Sequence, residues 1–293
     1  MVSESVSHFS ILWRRLIHKP FMSVYKLALK HKVKLLRNDF EPNGKPTIYS
    51  ATHVFYDDIA SVLCCLKQTA YILFGVENDN LPRLVDYLAM TLKGAIIVNR
   101  ADKQDRAKSL HKMVDLLRKG EDVLVFPEGA WNMTPNLLVQ NISWGILEAA
   151  ELANANIVPV AVDFTGKDYC VIIGENFNYS ACASKHEAIY DLRDAMATLT
   201  WELLTTKQPA TRENLNDTYW LEHIQREFAR VPKRKPSSEE RYIYRPKGEV
   251  SLGEVLADMQ GIEYKSMAAD YEQHKRIMRL CDNWNRLRKY APT

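Results

Sequence analysis

Between residues 32 and 205, short apolar runs of β-forming residues alternate with longer stretches of helical period, and few folds accommodate that alternation. The runs are Thr47–Ala51, Ala70-Tyr71-Ile72-Leu73-Phe74, Gly94-Ala95-Ile96-Ile97-Val98, Asp122-Val123-Leu124-Val125-Phe126 and Ile157-Val158-Pro159-Val160-Ala161-Val162. Residues 32–37 begin the series and 169–173 add one more strand, while Asn43-Gly44 turns the chain into Thr47–Ala51. Helices are expected at about 57–67, 81–92, 103–119, 144–152 and 184–205. The 103–119 stretch turns Leu110, Met113, Val114 and Leu117 inward and closes at Gly120. The pattern is that of an α/β domain whose mostly parallel sheet is flanked by helices.

The 293 residues suffice for one large domain, or for one domain with a helical appendage. A net charge of +3 excludes a global nucleic-acid signature. The charge is uneven, however. Residues 1–38 carry Arg14, Arg15, Lys19, Lys26, Lys30, Lys32, Lys34 and Arg37 against the single acid Glu4. Phe9, Leu12, Trp13 and Leu16 share one face of a helix at 5–18, broken by Pro20, and Met22, Tyr25 and Leu29 align in a second at about 21–31. Two readings are open for this pair: docking on an anionic bilayer, with Arg14, Arg15, Lys26 and Lys30 toward the lipid, or docking on the protein's own core. Beyond Gln208-Pro209 the character changes, with a basic Pro/Ser-rich linker at 231–238 and a helical tail carrying Tyr271, Ile277, Met278, Cys281, Trp284 and Leu287. The expected division is 1–31, 32–207 and 208–293.

The five cysteines are odd in number and lack zinc-like spacing, so reduced thiols in a cytosolic compartment are expected. No apolar run reaches 18 residues, and the N-terminus lacks the apolar core and cleavage site of a secretory signal.

Four stretches fall at strand ends, where open α/β sheets keep their working residues. His53 follows the 47–51 strand, and Asp58 sits five positions on, in the first turn of the next helix. A carboxylate there can hold one imidazole nitrogen and leave the other free to take a proton from a hydroxyl. Asp57 is a rival partner. Arg100 leaves the 94–98 strand, placed either to fork onto a phosphate or to pair with Asp102 or Asp105. Phe126-Pro127-Glu128-Gly129 offers a carboxylate and a glycine whose backbone can approach a ligand. Pro159 interrupts a buried strand, which calls for an edge or an irregularity and either shapes a groove for an acyl chain or is core strand alone.

Together these blocks resemble the glycerolipid acyltransferase family, which includes the lysophosphatidic acid acyltransferases. The blocks are His53-x4-Asp58, Gly94 to Arg100, Phe126-Pro127-Glu128-Gly129 and Val158-Pro159-Val160, in the family's order and spacing. The resemblance implies transfer of an acyl group from acyl-CoA or an acyl carrier protein to a hydroxyl of a lipid acceptor, on the cytoplasmic face of a membrane. It assigns His53 as general base, Asp58 as its orienting partner, Arg100 to the acceptor's head group, and Phe126, Pro127, Glu128 and Gly129 to the acceptor site. The thioester is already activated, so neither metal, cofactor nor acyl-enzyme is implied. Two departures stand out: Thr52, Val54 and Phe55 flank the histidine where the family carries Asn and small or basic residues, and Ala130-Trp131-Asn132 replaces the usual Thr-Arg-Ser. Trp131 therefore stands where a phosphate-binding arginine is expected. The same fold acting on a non-phosphorylated acceptor, a non-catalytic lipid-binding module, and a thioesterase are the alternatives.

Overall fold

The structure is a computed structural model that describes residues 11–16, 20, 31–54, 57–76, 94–99, 102–129, 131–132, 137–164, 168–206 and 222. The expected helices at about 21–31 and 81–92, Arg100, and the extension 208–293 apart from Glu222 lie outside these residues. The chain falls into two compact units, Met1–Asn132 with Leu138–Pro209, and Met133–Leu137 with Ala210–Thr293. The sheet belongs to the first.

Among the described residues seven strands run with helices between them: β1 Lys32–Asn38, β2 Thr47–Ala51, α1 Asp58–Cys65, β3 Ala70–Val76, β4 Ala95–Asn99, α2 Lys103–Arg118, β5 Asp122–Val125, α3 Gly145–Ala153, β6 Asn156–Phe164, β7 Asp168–Ile173 and α4 Lys185–Thr205. They form one sheet in the order β1-β7-β6-β2-β5-β3-β4. Every neighbouring pair is parallel except β6 with β7. The central strands β2, β5 and most of β6 are buried throughout, which is why their sequences read as unbroken apolar runs.

Alternate residues of each strand feed the two faces. Ile48, Val123 and Val125 join Met113 and Leu117 of α2, Ile146 and Ala150 of α3, and Leu192 and Met196 of α4 in one apolar cluster. Tyr49, Ala51, Leu124, Val158, Val160 and Tyr169 join Val62 and Leu63 of α1 in the other. The helix ends are capped by their sequences. Asp102 Oδ1 accepts from the Gln104 and Asp105 amides at 2.8 and 3.4 Å. Ser184 Oγ accepts from Glu187 N at 3.1 Å, while Glu187 Oε2 accepts from Ala183 N at 2.7 Å.

Two expectations resolve in instructive ways. Asn43-Gly44 does form a turn, with Gly44 at φ +82°, but β1 and β2 are not a hairpin: β7 and β6 lie between them. Pro159 sits in the interior of the sheet, at an irregularity rather than an edge. Its carbonyl accepts from Gly174 N at 2.9 Å, so its missing N–H points to the same side, just past Ile173, the last residue of β7. Bridging on that side resumes at Ile157 and Phe177. No ladder donor is lost.

The N-terminal segment departs from the lipid-facing expectation for its arginines. Residues 11–16 are helical, but Arg14 is buried and Arg15 pairs with the buried Glu121. Ala70 at the start of β3 draws the Arg14 side chain inward, whereas Arg15 reaches Glu121 from the surface with its side chain 53% exposed.

Asp122 opens β5, and its Oδ1 accepts from Thr47 N at 2.8 Å, fixing the start of β2 against β5. Burial pushes its carboxyl up to about 6, with the Thr47 N–H pulling the other way. The folded chain therefore holds this proton more tightly than the unfolded chain, and its stability falls as pH rises from about 4 through 6. Asp122→Asn keeps an acceptor for Thr47 and removes the charge. It is expected to be more stable at pH 7 by about 1–3 kcal/mol. Thermal melts at several pH values check this, since the difference must shrink below pH 6 and be gone near pH 4.

Candidate active site

Thr52 fixes the point where the chain leaves β2. Its amide donates to Val160 O at 3.0 Å, and its Oγ1 both accepts from Val162 N at 3.0 Å and donates to Val162 O at 3.2 Å. The side chain thus takes over the ladder to β6, and the next residue is His53. Both backbone groups of His53 are held by the turn that follows β5. Its N–H donates to Glu128 Oε1 at 2.8 Å, and its carbonyl accepts from Asn132 N at 2.6 Å. With the main chain pinned on both sides, only side-chain torsions remain to place the ring.

Asp58 removes that freedom. It is the first residue of α1 and is 0% exposed. Its Oδ2 receives His53 Nδ1 at 2.8 Å and the Val54 amide at 2.9 Å, and its Oδ1 receives the Ile59 amide at 2.7 Å. Three donors and the positive end of a helix offset the cost of burying this charge. An ionised carboxylate only accepts, so the proton on the facing nitrogen belongs to Nδ1, and Nε2 keeps its lone pair. The carboxylate that meets the ring is that of Asp58, and the neighbouring Asp57 is placed through its backbone. Asp57 instead donates its amide to Tyr169 Oη at 3.3 Å and accepts at its carbonyl from Ser61. The His53 side chain remains 17% exposed, shielded yet reachable.

Phe126 to Gly129 is a tight turn closed by Gly129 N donating to Phe126 O at 3.0 Å. Gly129 adopts φ +69°, a conformation that favours glycine. The Phe126 ring packs on the imidazole at 4.6 Å between centroids, and Trp131 meets it edge-on at 6.2 Å. Pro127 accepts Ser143 N at its carbonyl at 3.0 Å. Glu128 turns toward the protein. One oxygen accepts from the His53 amide, and the other from the Gln140 amide at 2.8 Å. Burial pushes this carboxyl up to about 7, against the pull of the two amides and of His53.

Gln140 closes the circuit. Its side-chain amide donates to Trp131 O at 3.2 Å and Asn132 Oδ1 at 3.4 Å, while Asn132 Nδ2 donates to Leu138 O at 3.3 Å. A ring of hydrogen bonds therefore runs from the His53 amide through Glu128, Gln140 and Asn132 back to the His53 carbonyl. Sequence reasoning passed over Thr52, Asn132 and Gln140 as site residues. The first two were visible only as departures from a familiar pattern. Gln140 lies twelve residues beyond Glu128 and carries no local signal.

The structure brings His53, Asp58, Phe126, Glu128 and Trp131 together, with Pro127 and Gly129 shaping the turn that holds them. Arg100 lies outside the described residues. The residue before it, Asn99, ends β4 with its amide on Asp105 Oδ2 at 2.6 Å.

Comparison with known proteins follows the same outline. Residues 32–163 match the family model described as Acyltransferase. A 1-acyl-sn-glycerol-3-phosphate acyltransferase of Chlamydomonas reinhardtii is 30% identical over 137 residues, covering 46% of this chain and 40% of that protein. A chloroplastic 1-acyl-sn-glycerol-3-phosphate acyltransferase of Arabidopsis thaliana is 25% identical over 160 residues, covering 53% of this chain and again 40% of the relative. The matches thus span two fifths of each relative's length. In fold, the chain is similar to the crystal structure of the 1-acyl-sn-glycerophosphate acyltransferase PlsC from Thermotoga maritima, with a TM-score of 0.54 at 18% identity over 67% of this chain and 83% of that one. The acyltransferase match covers the sheet from β1 into β6 and so takes in every residue of the hydrogen-bonded ring, and over those residues the chain is similar to the glycerolipid acyltransferases.

Proposed function

We propose that this protein transfers an acyl group from the thioester of acyl-CoA or an acyl carrier protein to the free hydroxyl of a lysophosphatidic acid-like glycerolipid. The observation that carries the reading is the His53 Nδ1 to Asp58 Oδ2 contact at 2.8 Å, made at the end of a central strand, with Nε2 left to accept a proton. Nε2 takes the acceptor's hydroxyl proton as that oxygen attacks the thioester carbonyl. The carbon–sulfur bond then breaks, and the imidazolium returns the proton to the departing thiolate. The products are an ester and a free thiol, and the paired carboxylate stabilises the imidazolium between the two steps. Glu128, occupied by two backbone amides, acts in this scheme by holding the His53 loop rather than by touching the acceptor.

Arg100 takes the acceptor's phosphate in this reading. It follows β4, which is three places from β2 in the sheet, a span of about 14 Å at the usual strand spacing. The acceptor head group then lies along the strand ends, with its hydroxyl at His53 and its anion toward β4. Trp131 relaxes the pocket between them, so a phosphorylated acceptor is accepted but need not be the preferred one. The exposed Leu12, Trp13 and Leu16 and the lysines Lys19, Lys26 and Lys30 support peripheral docking on an anionic bilayer. Among the described residues no helix is long and apolar enough to cross a membrane.

Three outcomes follow. His53→Ala is expected to lower turnover by about 10²–10⁴-fold, the contribution of a positioned base, with Asp58→Asn costing less. Ester formation is measured against release of free fatty acid from labelled thioesters, with melting curves to show that the fold survives. A His53→Ala protein of near-normal turnover would sink the mechanism. Arg100→Ala is expected to raise KM for a phosphorylated acceptor and leave a neutral one unchanged, while Trp131→Arg shifts preference toward the phosphorylated one. Equal loss of kcat on both acceptors in Arg100→Ala would place that arginine in the scaffold. Co-sedimentation with liposomes is expected to rise with anionic lipid and fall with salt, each nearby cation adding about 1 kcal/mol. Equal binding to neutral and anionic vesicles would count against docking by charge.

A further inference from the structure

Both halves of the His53–Asp58 pair have a main chain that is held from elsewhere in the sequence. For His53 the holders are Glu128 and Asn132. For Asp58 the point that needs holding is Asp57, the residue at the N-cap of α1. Asp57 stands at φ −99° and ψ 10°, and its side chain does not cap the helix. Its carbonyl accepts from Ser61 N at 2.9 Å and from Ser61 Oγ at 2.8 Å, and its amide donates to Tyr169 Oη at 3.3 Å. The phenol comes from β7, 112 residues further along the chain.

Tyr169 is itself firmly placed. It is 1% exposed and lies opposite Phe164 in the ladder between β6 and β7. Its ring packs 4.9 Å from that of Phe164, and the His31 imidazole meets it edge-on at 6.0 Å. Because β7 runs antiparallel to β6, it begins at the rim where β6 and β2 end, the rim that carries His53. Packing accounts for the ring but not for its oxygen. Phenylalanine would fill the same space and keep both ring contacts, and a buried hydroxyl must make good its lost water. What the oxygen adds is a fixed point for the main chain one residue before the carboxylate that orients His53. The first turn of a helix leaves its N–H groups without intrahelical partners, and helix ends fray first. Asp58 sits in that turn, so loosening there lengthens its 2.8 Å contact with the imidazole.

We propose that Tyr169 is a positioning residue for acyl transfer: its phenol oxygen pins Asp57 and thereby holds the Asp58 carboxylate against His53. The inference rests on the base role of His53 proposed above. Tyr169 acts through the main chain and has no part in holding the acceptor or the thioester. It lies beyond residues 32–163, the stretch that matches the acyltransferase model, and sequence reasoning gave it only as the first residue of a strand.

The test uses the full chain and measures ester formation on lysophosphatidic acid from whichever labelled thioester, acyl-CoA or acyl carrier protein, the parent turns over faster. Tyr169→Phe is expected to lower kcat about three- to tenfold, the worth of one neutral hydrogen bond, with KM for the acceptor unchanged. In an Asp58→Asn background the same change is expected to cost less than about twofold, because the charge it positions is already gone. Full kcat in Tyr169→Phe overturns the proposal, and so does a loss confined to KM. A kcat loss of equal size in both backgrounds also overturns it, and marks Tyr169 as a residue of the fold alone. Amide hydrogen exchange on the parent decides the matter if Tyr169→Phe does not fold. The Asp57 amide is expected to exchange at least ~100-fold more slowly than an open amide, and exchange at the open rate removes the pin. His53→Ala separates the two failures. Near-normal turnover in that variant removes the base reading itself, whereas lost activity there beside an unaffected Tyr169→Phe removes only the role given to Tyr169.

Discussion

The site depends on one buried charge. Asp58 is fully enclosed, and N–H donors that converge on it from His53, Val54 and Ile59 offset the cost of holding an ionised carboxylate there. Two of those donors are main-chain amides on either side of the strand-to-helix turn. The carboxylate therefore shapes the turn as well as orienting the imidazole, and loss of its charge would disturb both. The helix α1 that begins at Asp58 covers one face of the sheet through Val62 and Leu63, so the same residue links the chemistry to the core.

A second carboxylate works close by under different terms. Glu128 also accepts two backbone amides, but desolvation outweighs them and pushes it up to about 7, with the neighbouring Asp58 charge adding to the rise. The histidine thus stands between a carboxylate that orients its ring and another that secures its main chain. The Phe126 ring at 4.6 Å and the edge of Trp131 shelter the imidazole from water, which strengthens the electrostatics of the pair. The hydrogen-bonded ring through Gln140 and Asn132 ties two loops from different strand ends into one body, and that rigidity is what a base needs to meet a hydroxyl repeatedly in the same place.

At the opposite end of the sheet the molecule tolerates the reverse of its usual economy. Arg14 is buried with two donors unpartnered, and Trp13 is left out. Asp122 and Glu121 are adjacent buried acids at the start of β5, one clamping Thr47 and the other receiving Arg15. Polar groups are concentrated at the two rims of the sheet, where strands begin and end and the backbone ladder no longer satisfies itself. The middle of the sheet is apolar on both faces apart from Ser50, whose hydroxyl donates to Met196 Sδ at 3.2 Å.

The seven strands, the helices among the described residues and the pairing of His53 with a nearby aspartate were legible in the sequence, because each depends on short-range periodicity or on residues within one turn of each other. Unbroken apolar runs announced strands buried on both faces, and Gly120 marked a helix end through local chemistry. Strand order was not legible. Nothing near Lys32 announces pairing with Asp168, and nothing in the Asn43-Gly44 turn announces that two strands separate β1 from β2. The resemblance chose Asp58 over Asp57, and the structure sets Asp58 Oδ2 against the imidazole at 2.8 Å. The inward turn of Glu128 and the part played by Gln140 needed two loops brought together across twelve residues of chain. Helical spacing gave the amphipathic character of segment 11–16 but assigned its arginines to the lipid side, since a periodicity records which residues share a face and not which way that face is turned. Tyr71, Gly94 and Glu121 decide that direction, and they come from strands 57, 80 and 106 residues further along the chain than Arg14 or Arg15.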